Sequence, residues 1–405
     1  MAEASGLVCV KCGGRARAGE HLTCPKCGLE GILDVEYDYD RVKQSLRQSP
    51  LRRRQECSIW RYADLLPTGG PGRQMRRVGW TPLYSFPQLG TAVGHGSLFL
   101  KDDTVNPSAS LKDRASAVAV SMALDRGVRA ISCASTGNAA SSVAVLAASV
   151  EMKSYIFVPR TIPKPKLCQL AACATRVFKV AGTYEDAFRL ATEAIAKWGW
   201  ENRNCGINPY LVEGKKTCSL EIYEQLGYRV PDWLVVPVGD GCIISGQWKA
   251  FKELKMVGET ATAPRLLAVQ AEGCRPIVDA FTGGGDVRPV AGKTIADSIR
   301  VGEPRNWRKA LRALRESEGR AVSVTDREII EAALLLSQTT GLFAEPAAAA
   351  GFAGFRRAAK EGIIRRGEVA VVLVTGSGLK DPETVARDAP VYDVEIDLGA
   401  VGRHL

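Results

Sequence analysis

Lys112 stands in the run Asn106-Pro107-Ser108-Ala109-Ser110-Leu111-Lys112-Asp113-Arg114, just after the apolar residues Leu98, Phe99 and Leu100. An apolar strand, then small residues, then a helix start predicts Ser110 as the N-cap and Asp113 as its capping-box partner. Lys112 is then the second helical residue. A helix N-terminus carries about half a positive charge, so an ammonium group is disfavoured there. The amine is expected to lose its proton more easily than usual, which suits it as a nucleophile or base. Schiff-base chemistry needs such an amine. Taken alone, the residue reads as a surface lysine after a loop.

Three further strand-to-helix turns change that reading. The strand-like run Ala130–Ala134 leads into Ser135, Thr136, Gly137 and Asn138, where glycine permits close approach and the polar side chains can bond a planar ligand. The run Leu234–Val238 leads into Gly239, Asp240, Gly241, Cys242 and Ile243. Clustered backbone N–H groups at a helix start cradle phosphate. The pattern is not the dinucleotide glycine motif, and Asp240 is expected to face away from an anion. The run Val369–Val374 leads into Thr375, Gly376, Ser377 and Gly378, where a hydroxyl can cap the helix or bond a ring nitrogen. One lysine of lowered pKa and four such turns together fit a phosphorylated aldehyde cofactor, pyridoxal 5′-phosphate.

The positioning elements follow from periodicity. Strand-like runs at Ser154–Val158, Arg176–Val180 and Leu266–Gln270 join those above. Helical spacing at Leu111, Ala115, Val118 and Met122, and across Glu185–Trp198 and Asp326–Gln338, fills the intervals. Strands alternating with helices predict an α/β fold with a largely parallel sheet. Ligands in such folds gather beyond the carboxyl ends of the strands. Residues 35–80 read as a connecting region with two short helices, and the glycine-rich stretch 282–294 as a mobile loop.

Cys9, Cys12, Cys24 and Cys27 form two C-x-x-C pairs, each followed by glycine. That spacing is what a tetrahedral structural Zn2+ site requires; His21 reads as a hairpin surface residue. With 405 residues, 46% of them hydrophobic and 24% charged, the chain has ample core for two or three domains. No run is long enough to span a membrane and the start has no apolar signal core, so a cytoplasmic protein is expected. The net charge of +10 comes with interspersed acidic residues and no aromatic-basic interleaving, so no nucleic acid is expected as partner. The only histidines are His21, His95 and His404. None lies in a turn motif, which disfavours histidine-based hydrolysis.

The motifs NPSASLKDR, STGN, PVGDG, NPYLVEGKKT, DSI at 297–299 and TGSGLKDP occur in the order found in fold-type II pyridoxal-phosphate enzymes. With GWTPLY at 79–84 and SIWRYADLLP at 58–67, the chain most resembles the threonine synthases. The resemblance implies two open parallel-sheet α/β domains behind a zinc-ribbon-like segment. It places the ribbon at 1–34 and the catalytic body at 35–405, with a smaller subdomain at about 101–184. It implies Lys112 as the imine lysine, Asn138 at the cofactor's 3′-oxygen, Gly239, Asp240, Gly241, Cys242 and Ile243 around its phosphate, and Thr375 at its pyridine nitrogen. Ser135 and Thr136 are implied for the substrate carboxylate or phosphate. The implied reaction is that of a carbon–oxygen lyase converting O-phospho-L-homoserine and water to L-threonine and phosphate. A small amino acid is the expected partner, and a homodimer is common on this fold.

Some positions depart from the threonine synthase pattern. Ala109 and Leu111 stand for glycine and phenylalanine, and Ser377 for histidine. Cys205, Gly206 and Leu211 replace an Asn-Ser pair and an arginine that serve the substrate phosphate, with Lys215 and Lys216 as candidate replacement charge. These departures keep open a β-replacement enzyme in the manner of cysteate or cysteine synthases, or a threonine/serine dehydratase. The ribbon and net charge alone would also suit a nucleic-acid-binding protein.

Overall fold

The computed structural model describes residues 4–70, 75–162, 164–386, 389–396, 398, 401 and 403; His404 lies outside them. The amino-terminal ribbon pairs β1 (Ala4–Cys9) antiparallel with both β2 (Arg15–Ala16) and β3 (Leu33–Tyr37). The chain then lays down β4 (Leu83–Tyr84) and β5 (Leu98–Asp102), followed by β6 (Ala130–Ala134), β7 (Lys153–Pro159), β8 (Arg176–Val180) and β9 (Glu201–Asn202). It finishes with β10 (Trp233–Pro237), β11 (Arg265–Ala271), β12 (Arg320–Val324) and β13 (Ala370–Val374).

These strands form two open sheets. The smaller has the order β8-β7-β6-β9 and is parallel throughout. It runs to Asn202, past residue 184. The larger has the order β12-β11-β10-β13-β5-β4, with only the edge strand β4 antiparallel. Its centre reads as continuous apolar runs, Leu234–Val236 and Val371–Val374, because helices cover both faces.

The helix Tyr210–Gln225 shows how the body closes. All its residues but the last are buried, including Glu213, Lys215, Lys216, Glu221 and Glu224. The charges are matched internally. Lys216 Nζ lies 2.6 Å from Glu213 and from Glu253, and above the Tyr37 ring. Glu221 takes Lys101 at 2.7 Å and Arg114 at 2.5 Å. At Gly214 a Cβ would lie 2.0 Å from the Arg114 carbonyl oxygen. Glycine therefore lets this helix cross the Lys112–Asp125 helix closely enough to bring Lys215 near Lys112.

The ribbon is fastened to the same helices. Asp34 pairs with Lys309 at 2.8 Å, Tyr37 Oη donates to Glu213 at 2.9 Å, and the Gly19 N–H donates to Tyr210 Oη at 2.7 Å. The stretch 282–294 continues from the helix Pro276–Gly283, and two backbone bonds pin it: Val290 N to Gly302 O at 3.1 Å and Lys293 N to Gly273 O at 2.9 Å. Among the described residues no helix is long and apolar enough to cross a membrane.

Candidate active site

The four turns stand at the carboxyl ends of parallel strands β5, β6, β10 and β13, and a cavity of about 1020 Å³ opens among them. Lys112, Ser135, Thr136, Asn138, Asp240, Gly241, Cys242 and Ile243 all line it. Gly239 and Thr375 lie behind the wall. Gly239 packs within 3.1 Å of Ile299 and Val301, measured from where a Cβ would sit, and the Thr375 carbonyl accepts the Leu111 N–H at 2.9 Å.

The capping expected at Ser110 is not what forms. The helix begins at Lys112 with Leu111 in the cap position, and the Ser110 hydroxyl is buried without a hydrogen-bond partner. Asp113 instead accepts from the Ser108 N–H at 2.6 Å and the Ser108 hydroxyl at 2.5 Å. The reason is the neighbouring turn. Ser110 bridges to Gly376, and Ser377 N–H donates to Ala109 O at 3.1 Å. Tying the two turns together holds Ser110 in the bridge, and Asp113 reaches back to Ser108 instead. Ala109 takes φ of +61°, a left-handed conformation that glycine adopts without penalty. Ala109→Gly is expected to stabilise the chain by up to about 1 kcal/mol, read from chemical denaturation.

Lys112 is first in its helix and its side chain reaches the cavity wall. Burial pushes its amine pKa down, and the ammonium of Lys215 pushes the same way. Among the described residues its Nζ makes no hydrogen bond. The arrangement supplies an uncommitted amine that gives up its proton more readily than an ordinary lysine.

Asn138 begins the helix Asn138–Ala148 and donates to Glu345 Oε1 at 2.7 Å. Gly376 faces the same pair: a Cβ there would sit 2.4 Å from Glu345 Oε1. A flat shelf results. Gly241, at φ of +89°, caps the helix Cys242–Met256, whose first amides have no intrahelical partner. Asp240, drawn up in pKa by burial, is engaged from the side. It accepts from Arg305 N–H at 2.6 Å, Asn306 Nδ2 at 3.0 Å and Cys242 Sγ at 3.0 Å. Its oxygens are thus committed to the segment at 305–306 and to the Cys242 thiol.

The structure separates the two candidate replacement cations. Lys216 is consumed by Glu213 and Glu253, whereas Lys215 lines the cavity and donates to Cys205 Sγ at 3.3 Å. Leu211 is wholly buried, and a Cβ on Gly206 would meet Arg305 Cδ at 2.5 Å. Neither position offers a side-chain donor to a ligand. Arg203, Glu345 and Asn306 also belong to this wall or its backing, although no turn motif pointed to them. Arg203 follows the two-residue strand β9, and Glu345 precedes Pro346 at a helix start; the strand end and the helix start were the available signals.

Residues 75–376 match the family described as pyridoxal-phosphate dependent enzyme. The threonine synthase of Methanocaldococcus jannaschii is 38% identical over 403 residues, covering 98% of both chains. The chain belongs to the threonine synthase group of the pyridoxal-phosphate dependent enzymes. The threonine synthase of Methanosarcina acetivorans is likewise 38% identical, over 399 residues and 96% of each chain. A threonine deaminase isoform 2 from Solanum lycopersicum shares the fold, with a TM-score of 0.63 at 21% identity over 80% of this chain and 86% of that one. Like its group, the chain is a pyridoxal-phosphate dependent lyase of the threonine synthase type. The cavity suits that cofactor, since it joins a buried lysine amine of lowered pKa, the Asn138 side-chain amide and the N-terminus of the helix Cys242–Met256.

Four cysteines complete the expected ribbon. The sulfur atoms of Cys9, Cys12, Cys24 and Cys27 all lie within 4.8 Å of one another, with Cys12 and Cys24 at 3.7 Å. A tetrahedron with Zn–S of about 2.3 Å has edges of about 3.8 Å. Gly13 and Gly28, both at positive φ, turn the two knuckles, and a Cβ at Gly31 would strike the Cβ atoms of Cys24 and Cys27.

Proposed function

We propose that the chain converts O-phospho-L-homoserine and water to L-threonine and phosphate. The carrying observation is Lys112, a buried amine of lowered pKa on a cavity wall, in a chain 38% identical over 98% of its length to a threonine synthase. In this reading Lys112 holds the cofactor and, when released, moves protons at the substrate's α- and β-carbons. The Gly239–Ile243 turn receives the cofactor phosphate on the amides of Gly241, Cys242 and Ile243. Asn138, fixed by Glu345, meets the 3′-oxygen, and Thr375 backs the ring nitrogen. A neutral hydroxyl at that nitrogen leaves the bound cofactor a moderate electron sink, which suits elimination followed by hydration. Ser135 and Thr136 hold the substrate carboxylate or phosphate. Asn138→Ala is expected to weaken cofactor retention by about tenfold, one lost hydrogen bond to a charged group, checked by cofactor fluorescence titration.

A second reading has its own observation. Gly206 and Leu211 give no side-chain donor, and Cys205 rather than an amide side chain lines the cavity. Those features suit a β-replacement or dehydratase reaction on a related amino acid. Supplying O-phospho-L-homoserine to the holoenzyme separates the two. The first reading expects threonine and phosphate in equal amounts. Phosphate with 2-oxobutyrate, or turnover only of O-phosphoserine or threonine, moves the assignment to the second.

We further propose a structural Zn2+ at Cys9, Cys12, Cys24 and Cys27, one per chain. Because the ribbon grips Lys309 and Tyr210, stripping the metal is expected to lower the unfolding midpoint and to loosen the helices behind Asn306 and Lys215. Thermal scans with and without a strong chelator, alongside zinc analysis, check this.

A further inference from the structure

Cys205 sits on the cavity wall with two buried cations behind it. Arg203 Nη1 donates to its sulfur at 3.0 Å and Lys215 Nζ at 3.3 Å. Both cations are fully buried, and among the described residues neither has a carboxylate partner in ion-pair range. Arg203 otherwise bonds only neutral oxygens, Ser116 Oγ at 2.9 Å and the Lys112 carbonyl at 3.4 Å. Buried cations demand counter-charge, and the sulfur they share is the group placed to give it. The neighbouring Cys242 side chain, with Lys215 and Arg203, holds the Cys205 thiol well below the usual range.

Cys242 has the complementary surroundings. Its thiol donates to Asp240 Oδ2 at 3.0 Å, accepts from Asn306 Nδ2 at 2.9 Å, and lies 3.6 Å from the Cys205 carbonyl oxygen. The surroundings thus favour the thiolate at Cys205 and the protonated thiol at Cys242, with a carboxylate against the second sulfur.

We propose that Cys205 is a reactive thiolate open to peroxides and soft electrophiles through the cavity, and that Cys242 resolves its oxidised form as a disulfide. Attack of the Cys205 thiolate on a peroxide O–O bond gives Cys205–SOH and hydroxide. The Cys242 thiol passes its proton to Asp240, its sulfur attacks Cys205, and the displaced hydroxide takes that proton back and leaves as water. One thiolate and one thiol become the disulfide, and one peroxide, with one proton from solvent, becomes two waters. Cys242 opens the helix whose first amides face the cavity, so the new bond ties that turn to the segment after β9. The inference does not depend on which amino acid the site takes.

Peptide mapping of the holoenzyme tests it. At pH 6.5 an ordinary thiol is about 1% ionised. Iodoacetamide is therefore expected to label Cys205 at least about tenfold faster than the exposed Cys168. The Cys205 rate should be flat from pH 6.5 to 8.5, where an ordinary thiol rises about tenfold per unit. Lys215→Gln should slow the labelling. Should that variant fail to fold, the wild-type pH profile carries the same information. Dilute hydrogen peroxide should give a Cys205–Cys242 linked peptide that dithiothreitol reverses, and Cys242→Ser should stop at a dimedone-trapped sulfenic acid on Cys205. Labelling of Cys205 no faster than Cys168, or peroxide treatment without the Cys205–Cys242 link, overturns the proposal.

Discussion

Lys112→Ala is expected to lower threonine formation by about 10³-fold or more, the range general acid–base groups contribute, and to abolish the cofactor's lysine-bound absorbance. The amine reaches the cavity without a hydrogen bond to any described residue, and burial plus the Lys215 charge push its pKa down. Nothing nearby can replace it. Lys215 also lines the cavity, but its proton is held by Cys205, which pushes its pKa the other way. Lys112→Arg should fail as completely as alanine, because a guanidinium neither condenses with an aldehyde nor releases a proton. A purely structural role would instead be rescued by arginine. Absorbance spectra and turnover of the two variants decide between these.

Glu221→Ala is expected to be the most destabilising single change in the core. Its carboxylate accepts from Lys101 Nζ at 2.7 Å, from Arg114 Nη1 at 2.5 Å and Nη2 at 2.8 Å, and from the Trp80 and Thr81 N–H groups at 2.8 and 3.2 Å. Removing it leaves two fully buried cations short of charge, and breaking such a pair costs about 3–5 kcal/mol. Arg114 keeps Asp103, at 2.7 Å; Lys101 keeps no carboxylate among the described residues. Burial opposes the ionised Glu221, yet the Arg114 and Lys101 charges win and take its pKa down to about 2 from 4.5. A carboxylate whose folded pKa is depressed stabilises fully above its unfolded value. That contribution should disappear as pH falls from about 4.5 to about 2. Acid-unfolding curves of wild type and Glu221→Gln test it: the variant should lose the slope in that window.

Much of the site was legible because its chemistry is local. A strand, a short polar turn and a helix occupy a dozen residues, and the turns after β5, β6, β10 and β13 each read that way. Strands β6 and β8 match the sequence reading in full; β7, β10, β11 and β13 match within one residue at each end, as does the start of the helix Tyr184–Trp198. What escaped had lost its periodic signal. The helix Tyr210–Gln225 is buried on every side, so its charges carry no polar face and its periodicity is flat. Pro346–Lys360 is largely alanine and is likewise buried around most of its surface. β12 (Arg320–Val324) has alternating exposure and too little apolar content to stand out.

The site residues that escaped depend on contacts far apart in the chain. Arg203 is set by its crossing with Ser116 and the Lys112 turn, and Glu345 by Asn138, 207 residues away. The adjacent Lys215 and Lys216 looked equivalent in sequence. Helical geometry sends one to the cavity and the other to Glu213 and Glu253. The Ser110 cap failed for a related reason, since its local preference yields to the pairing with Gly376.

The most direct measurement is borohydride reduction of the holoenzyme followed by peptide mapping. The account predicts the pyridoxyl-phosphate mass on Lys112, at close to one per chain, and on no other lysine. Label on Lys215 or elsewhere, or a colourless protein that takes no label, would contradict it.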